Sequence, residues 1–236
     1  MEEILTFYVI FHQKIFPENI PDNKCFKYLG VNELVKKEID TDKLKHELIY
    51  EYNMPGYNPI YQMIKFCENS VLLNISCPPT PFVGFGQYDM SVNSDKFNLI
   101  KNYLDGNNKM IGFFPHPVNT ICDILNSSQW NEVLAVYNNN NNTHHQIESL
   151  TDYPFFLLNT YIIPSWFFVK LQKNLKSLLP TILKFLNYNM RHVAGTLERV
   201  NSLIIACALK EGVLKCAVSD SITDIDHQKI VDPFKH

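Results

Sequence analysis

Residues 4–11 (ILTFYVIF) form a continuous apolar run rich in β-branched and aromatic side chains, closed by His12-Gln13-Lys14. A run this short, bounded by polar residues, is how a strand buried on both faces of a mostly parallel sheet reads. The pattern recurs at 82–85, closed by Gly86-Gln87-Tyr88-Asp89-Met90, at 109–114, closed by Pro115-His116-Pro117, and at 155–163. Between these runs the spacing turns helical. Asn58 can cap free N–H groups and Pro59 suits a first helical position, with Ile60, Ile64, Cys67 and Val71 recurring behind them. Cys77-Pro78-Pro79-Thr80-Pro81 ends that helix. Pro164 opens another, carrying Phe168, Leu171, Leu175, Leu178, Leu179, Ile182 and Leu186, with a kink expected at Pro180. Residues 193–210 are apolar on nearly every side beyond Arg199 and stop at Gly212, which predicts a buried helix. The charged stretch 36–51 predicts a solvated helix or loop, and the Asn-rich stretch 138–145 a flexible surface loop. Strands alternating with helices give an α/β class: a Rossmann-like, mostly parallel sheet, a helical C-terminal half, and one domain over residues 1–236.

Composition narrows the function classes. Of the 236 residues, 46% are hydrophobic and 19% charged, enough apolar material for a substantial core and too much for a disordered chain. A formal net charge of -3 is no footprint for nucleic acid, which requires clustered Lys and Arg, although a pocket could still hold a single nucleotide. The six cysteines show no CxxC and no zinc-ligand spacing, so they read as reduced thiols. The start Met1-Glu2-Glu3 lacks the basic flank of a secretory leader, and no apolar stretch reaches the ~20 residues of a membrane span. The expectation is a soluble, cytoplasmic protein. Asn-x-Ser/Thr matches at Asn74, Asn126 and Asn141 are taken as chance in so Asn-rich a chain.

Three constellations could carry chemistry. Asp89 leaves a strand behind Gly84 and Gly86, glycines that would let a ligand approach the backbone, and it suits a metal–diphosphate site. The competing reading has Asp89 capping the turn and the glycines serving the bend. Arg191 and Glu198 lie seven residues apart, on one face of a helix if it already includes 191, with Arg199 beside them. Glu198 is then either a site carboxylate that takes a proton or half of a structural ion pair with Arg191 or Arg199. His12 and Gln13 follow the first strand, where open α/β sheets bind ligands. His116 and Asp152 are weaker candidates, and His144 and His145, in the Asn-rich stretch, are set aside. GxGxxG after the first strand, GxxxxGK[ST], GxSxG and HExxH are all absent.

The order of these pieces resembles a GT-A-type glycosyltransferase family of bacterial capsule or lipopolysaccharide clusters and large DNA viruses. The residues that carry the likeness are HQK after strand one, EYNMPGYNPIYQMIKFCENS, FVGFGQYDM, LLNTYIIPSWFF and RHVAGTLERV, spanning about 4 to 210. The resemblance implies a GT-A-like fold, a nucleotide-sugar donor, a glycan or glycoprotein acceptor, and often Mn²⁺ or Mg²⁺. On it, His12 and Gln13 would lie near the nucleotide, and Tyr57, Asn58 and Gln62 would line the donor side. Gln87 and Asp89 would take the metal–diphosphate position, and Arg191, Glu198 and Arg199 the sugar side. One departure stands out: GT-A enzymes typically show Asp-x-Asp, and here Gln87 holds the first position, leaving Asp89, alone or with a distant residue such as His227, for any metal. A catalytically silent nucleotide-sugar or glycan-binding module, or a structural interaction domain, are the competing functions.

Overall fold

The structure, a computed structural model, describes residues 4–12, 15–31, 44–63, 68–92, 94–104, 106–113, 115–117, 124–156 and 159–217. Its frame is a seven-stranded sheet in the order β3-β2-β1-β4-β8-β5-β9. The strands are β1 (Leu5–Phe11), β2 (Phe26–Gly30), β3 (Glu47–Tyr50), β4 (Phe82–Gln87), β5 (Lys109–Gly112), β8 (Tyr161–Pro164) and β9 (Lys215–Ala217). Neighbouring strands are parallel except at β8, which runs antiparallel to both β4 and β5. Two further short strands, β6 (Pro115–His116) and β7 (Phe155–Phe156), pair apart from the main sheet. The mixed, mostly parallel α/β architecture is the one the sequence predicts.

β1 shows why both faces must be covered. Every one of its residues is buried, and alternate side chains enter different cores. Leu5, Phe7, Val9 and Phe11 join Phe26, Tyr28, Phe97 and Ile100 on the side of helix α2 (Ser94–Tyr103). Tyr8 and Ile10 join the larger core beneath α1 (Glu68–Asn74), α3 (Ser127–Asn141), α4 (Ser165–Phe185) and α5 (Met190–Lys210). α5 is buried along most of its length, with Leu203 through Ala208 all at or below 1% exposure. It ends as expected: Gly212 sits at φ +69, and Val213 N–H reaches back to the Ala208 carbonyl at 2.9 Å. α4 runs unbroken through Pro180 and buries Phe167, Phe168, Leu171, Leu175, Leu178 and Ile182 on one arc.

Several expectations are corrected. Residues 47–50, expected in a solvated helix or loop, form β3, a short, half-exposed edge strand whose polar flanks hide it. β2, α2 and α3 were not anticipated as elements. The helix expected from Asn58 is a 3-10 segment over Pro59–Met63 with Ile60 60% exposed, and α1 begins separately at Glu68. Residues 64–67, where that helical spacing would continue, lie outside the described residues. The 155–163 run divides into β7 and β8 in different sheets, because Asn159 turns the chain at φ +50.

The stretch 138–145 is not a flexible loop. Asn138–Asn141 make the last turn of α3, and Asn142 caps it in the left-handed conformation at φ 56. The Asn138 amide accepts from the Thr143 hydroxyl and from His145 N–H, and donates to the His145 carbonyl, all at 2.9 Å. Asn141 bonds Tyr137 O and Asn174 Oδ1. His145, set aside on sequence grounds, is buried, and its Nε2 lies 2.8 Å from Glu211 Oε1 just beyond α5. The asparagines here do specific hydrogen-bonding work that composition conceals. The same holds for the other two sequon asparagines. Asn126 forms the capping box of α3, and buried Asn74 is bonded on both sides.

Candidate functional site

The parallel strands β1, β2, β3, β4 and β5 all point their carboxyl ends to one edge, where β8 begins, and open α/β sheets bind ligands at that edge. Two of the candidate residues meet there. β1 and β4 pair through Ile10 and Gln87, and Tyr88 N–H continues the ladder to Ile10 O at 2.8 Å. His12 leaves β1 directly beside the residues that leave β4, its ring edge-on to Tyr88 at 5.1 Å. Phe16 stacks on the same tyrosine at 6.3 Å. Burial pushes His12 below the ordinary histidine value, and the neighbouring Asp89 carboxylate partly offsets this. His12 is thus held neutral at pH 7 next to a carboxylate.

Asp89 itself is the distinctive group. Its Oδ1 is buried with no hydrogen-bond partner among the described residues. The turn that follows β4 closes without it, through Met90 N–H to Gln87 O at 3.1 Å. A buried, unpartnered carboxylate oxygen costs roughly 1–3 kcal/mol, and such groups need an explanation outside the fold. The glycines beside it have a different job from the one expected. A Cβ on Gly84 would meet Phe7 Cδ2 at 2.3 Å, and one on Gly86 would meet Phe7 Cε1 at 2.9 Å. They admit the Phe7 ring from β1, not a ligand and not a bend.

The donor-side candidates follow β3 in the chain and are held against the end of α1. Tyr57 is half-buried and Asn58 exposed. Asn58 N–H bonds Asn74 Oδ1 at 2.8 Å, and Asn74 Nδ2 bonds the fully buried Glu51 carboxylate at 2.6 Å. Glu51, which sequence reasoning assigned to a solvated segment, anchors this loop; its tyrosine neighbours on both sides were the available signal. Asn58 also accepts from Ile60 N–H at 3.1 Å, the capping contact expected of it.

On the other flank, α5 includes position 191, so Arg191 and Glu198 do share a helical face. Glu198 is half-buried and stands beside Tyr161 at the start of β8. The Tyr161 hydroxyl is fully buried and has no hydrogen-bond partner among the described residues. Burial first, and then the Glu198 carboxylate, push that phenol far above its usual value. One turn on, Asn201 Nδ2 donates to Asn159 Oδ1 at 2.7 Å and Ser202 Oγ to Phe156 O, fixing this face of α5 over the β7–β8 connection. Arg199 turns back on its own helix, Nη1 to Gly195 O at 2.9 Å. His116 is half-buried in β6, and Asp152 is exposed in a turn. Gln13 and His227 lie outside the described residues, and of Gln62 and Arg191 only the backbone is described. Glu198 thus sits beside Tyr161 at the start of β8, while the Tyr57–Asn58 loop is held to the end of α1.

A cation at Asp89 passes a limited test of fit. No three His, Cys, Asp or Glu side chains gather as a ready metal site among the described residues. Mg²⁺-type sites, however, use one or two carboxylates and take further oxygens from substrate phosphates, and the Asp89 Oδ1, without a hydrogen-bond partner among the described residues, suits that arrangement. Another concavity, about 300 Å³, lies at the opposite edge of the sheet. Its charges are paired off as Lys27–Glu47 at 2.7 Å and Lys45–Asp22 at 3.0 Å.

Comparison with known proteins places the fold. No protein-family profile and no curated protein sequence matches the chain. Among solved structures, the apo WbbM bifunctional glycosyltransferase aligns with 91% of this chain at a TM-score of 0.58 and 14% identity. This chain spans 44% of that protein's length. Mouse xyloside xylosyltransferase 1 aligns with 92% of this chain and 86% of its own at a TM-score of 0.44 and 10% identity. Residues 1–349 of S. aureus TarS align with 77% and 56% at 0.32 and 15%. The chain has a GT-A-like glycosyltransferase fold, and that statement rests on the first of these structures. No described helix is long and apolar enough to cross a membrane.

Proposed function

We propose that the protein transfers a sugar from a nucleotide-sugar donor to a glycan or glycoprotein acceptor. The observation that carries this reading is the Oδ1 of Asp89 at the tip of β4, buried and unpartnered among the described residues, beside His12 on the carboxyl edge of a glycosyltransferase fold. Mn²⁺ or Mg²⁺ held there with the donor's phosphates would neutralise the departing nucleoside diphosphate. Asp89 supplies its carboxylate to that position and Gln87 its neutral amide. His12, Gln13 and Tyr88 position the nucleotide, with Tyr57, Asn58 and Gln62 along the donor side. Glu198 receives the acceptor's proton, backed by the buried Tyr161 hydroxyl, while Arg191 and Arg199 brace the sugar.

One observation favours a second reading, a binding module without turnover: Gln87 stands where Asp-x-Asp enzymes carry their first acid. A melting experiment separates the two. Purified protein is heated with UDP-, GDP- and dTDP-sugars, with and without Mn²⁺, and donor hydrolysis is followed in parallel. Ligand at 100 times Kd adds about 2.7 kcal/mol to stability. In a chain of this size that raises the melting temperature by roughly 5–10 °C. The proposal expects one nucleotide class to stabilise the protein, Asp89→Asn to abolish the Mn²⁺-dependent part, and sugar release to follow binding. Binding without release would leave the silent module, and no shift with any donor would sink both readings.

A further inference from the structure

Helix α4 carries a second surface that the carboxyl-edge site does not use. At 100° per residue, Trp166, Val169, Lys170, Lys173, Lys176 and Lys184 fall within an arc of about 120°, opposite the buried arc. Solvent exposure follows the projection: Lys173, Lys176 and Lys184 are exposed, Lys170 is half-buried, Trp166 is 46% exposed and Val169 52%. Two large apolar side chains thus stand at one end of a lysine row. The 21 residues of α4 contain four lysines and no acidic residue, in a chain whose formal charge is -3. Among the described residues none of the four lysines has a carboxylate within ion-pair distance. By contrast Lys27 and Lys45, at the amino ends of β2 and β3, each hold one.

An ordinary solvated helix face mixes signs, because opposite charges at three- and four-residue spacing stabilise it. This face forgoes that, and among the described residues no carboxylate answers its positive charge. Lysines in a row beside an exposed Trp and Val combine electrostatic attraction with apolar side chains that enter the headgroup layer. We propose that the outer face of α4 docks the protein on an anionic lipid surface. The helix is about 30 Å long and starts at the amino edge of the sheet, where Pro164 pairs with Phe82. Docking along it leaves the carboxyl edge open at the side of the contact, so a bound protein keeps its candidate site accessible. The proposal stands independently of the glycosyl-transfer reading.

The test is co-sedimentation of the full chain with vesicles of pure phosphatidylcholine and of equal parts phosphatidylcholine and phosphatidylserine. The wild type is expected to pellet with the mixed vesicles only, to be released as salt rises, and to show blue-shifted Trp166 emission when bound. A lysine at such a surface contributes roughly fivefold to affinity, so K173E/K176E should weaken binding at least about twentyfold. K24E/K45E, with the same net charge but at the amino ends of β2 and β3 rather than on α4, should bind like the wild type. Unchanged melting midpoints establish first that both double variants are folded. Equal binding to both vesicle types, no sedimentation at all, or equal loss in both double variants overturns the proposal. Retention on immobilised polyglutamate without vesicle binding overturns it too, in favour of an acidic polypeptide partner.

Discussion

Replacing Gly84 by Ala tests whether the glycines of β4 serve a ligand or the sheet. The added Cβ would lie 2.3 Å from Phe7 Cδ2, 2.9 Å from Cε2 and 3.0 Å from Ile162 Cγ1. Real Cβ contacts start well beyond the first of these, so something must move by more than an ångström. Phe7 has no room to do so: it is 1% exposed and wedged among Phe26 at 5.2 Å, Phe97 at 6.4 Å and Phe113 at 6.5 Å. Overpacking a core this tight costs about 1–3 kcal/mol and at times more, and this contact belongs at the upper end. About 3 kcal/mol lowers the melting temperature of a chain this size by roughly 6–12 °C. Urea titration gives the free energy directly, with the midpoint falling and the slope unchanged. The discriminating partner is Phe7→Leu. It opens its own cavity, at a cost of roughly 1–3 kcal/mol, yet in the double variant the Ala and the smaller side chain fit together. The two changes should therefore be strongly non-additive, with a coupling of about 1 kcal/mol or more. A Gly84→Ala variant within about 0.5 kcal/mol of the wild type, or one that loses donor binding at full stability, would refute the packing argument and restore the ligand-access reading.

Two other perturbations follow from the same contacts. His12 is held below the ordinary histidine value, chiefly by burial, so the unfolded chain binds its proton more tightly and stability from this group falls as pH drops through the ordinary value toward the folded one. Urea midpoints compared between about pH 7 and about pH 5 should decline less steeply in His12→Gln than in the wild type, and parallel curves would remove His12 from the linkage. His145→Ala should cost about 1–3 kcal/mol in the same titration, because it removes the 2.8 Å contact to the Glu211 carboxylate and leaves only the longer one from the Tyr137 hydroxyl at 3.5 Å, whereas His144→Ala, on an exposed neighbour, should stay within about 0.5 kcal/mol. Equal effects of the two would mean that the His145–Glu211 contact does not hold the end of α3 to the end of α5.

The elements that sequence makes legible are those whose partners are implied by their own pattern. β1 is apolar on both faces and α5 on nearly every side beyond Arg199, so burial of both follows with little further information. β3 is the reverse case: at the sheet edge, with Glu47 exposed and the rest half-buried, it owes its conformation to a ladder with Leu29 and Gly30, residues far behind it in the chain. The Asn-rich stretch fails for a related reason. Asparagine side chains can serve a loop, a cap or a buried network equally well, and only the positions of Asn174, Ser177 and His145 decide among these.

The site divides along the same line. Asp89 and His12 could be proposed from sequence because each closes a strand that reads clearly, and clear parallel strands put their ends at one edge. What the strands could not disclose was the state of the groups placed there. The capping reading of Asp89 requires its oxygen to accept from the turn, and the turn closes without it. The ligand reading of Gly84 and Gly86 requires open space above them, and Phe7 fills that space. One structural feature thus weakens the bland account of Asp89 while another removes an argument that had favoured function. The case for the carboxyl edge consequently rests on the unsatisfied carboxylate rather than on the glycines beside it. A glycine pair explained by packing is silent about ligands, whereas a buried carboxylate oxygen with no partner among the described residues carries a cost that something bound at this edge would relieve.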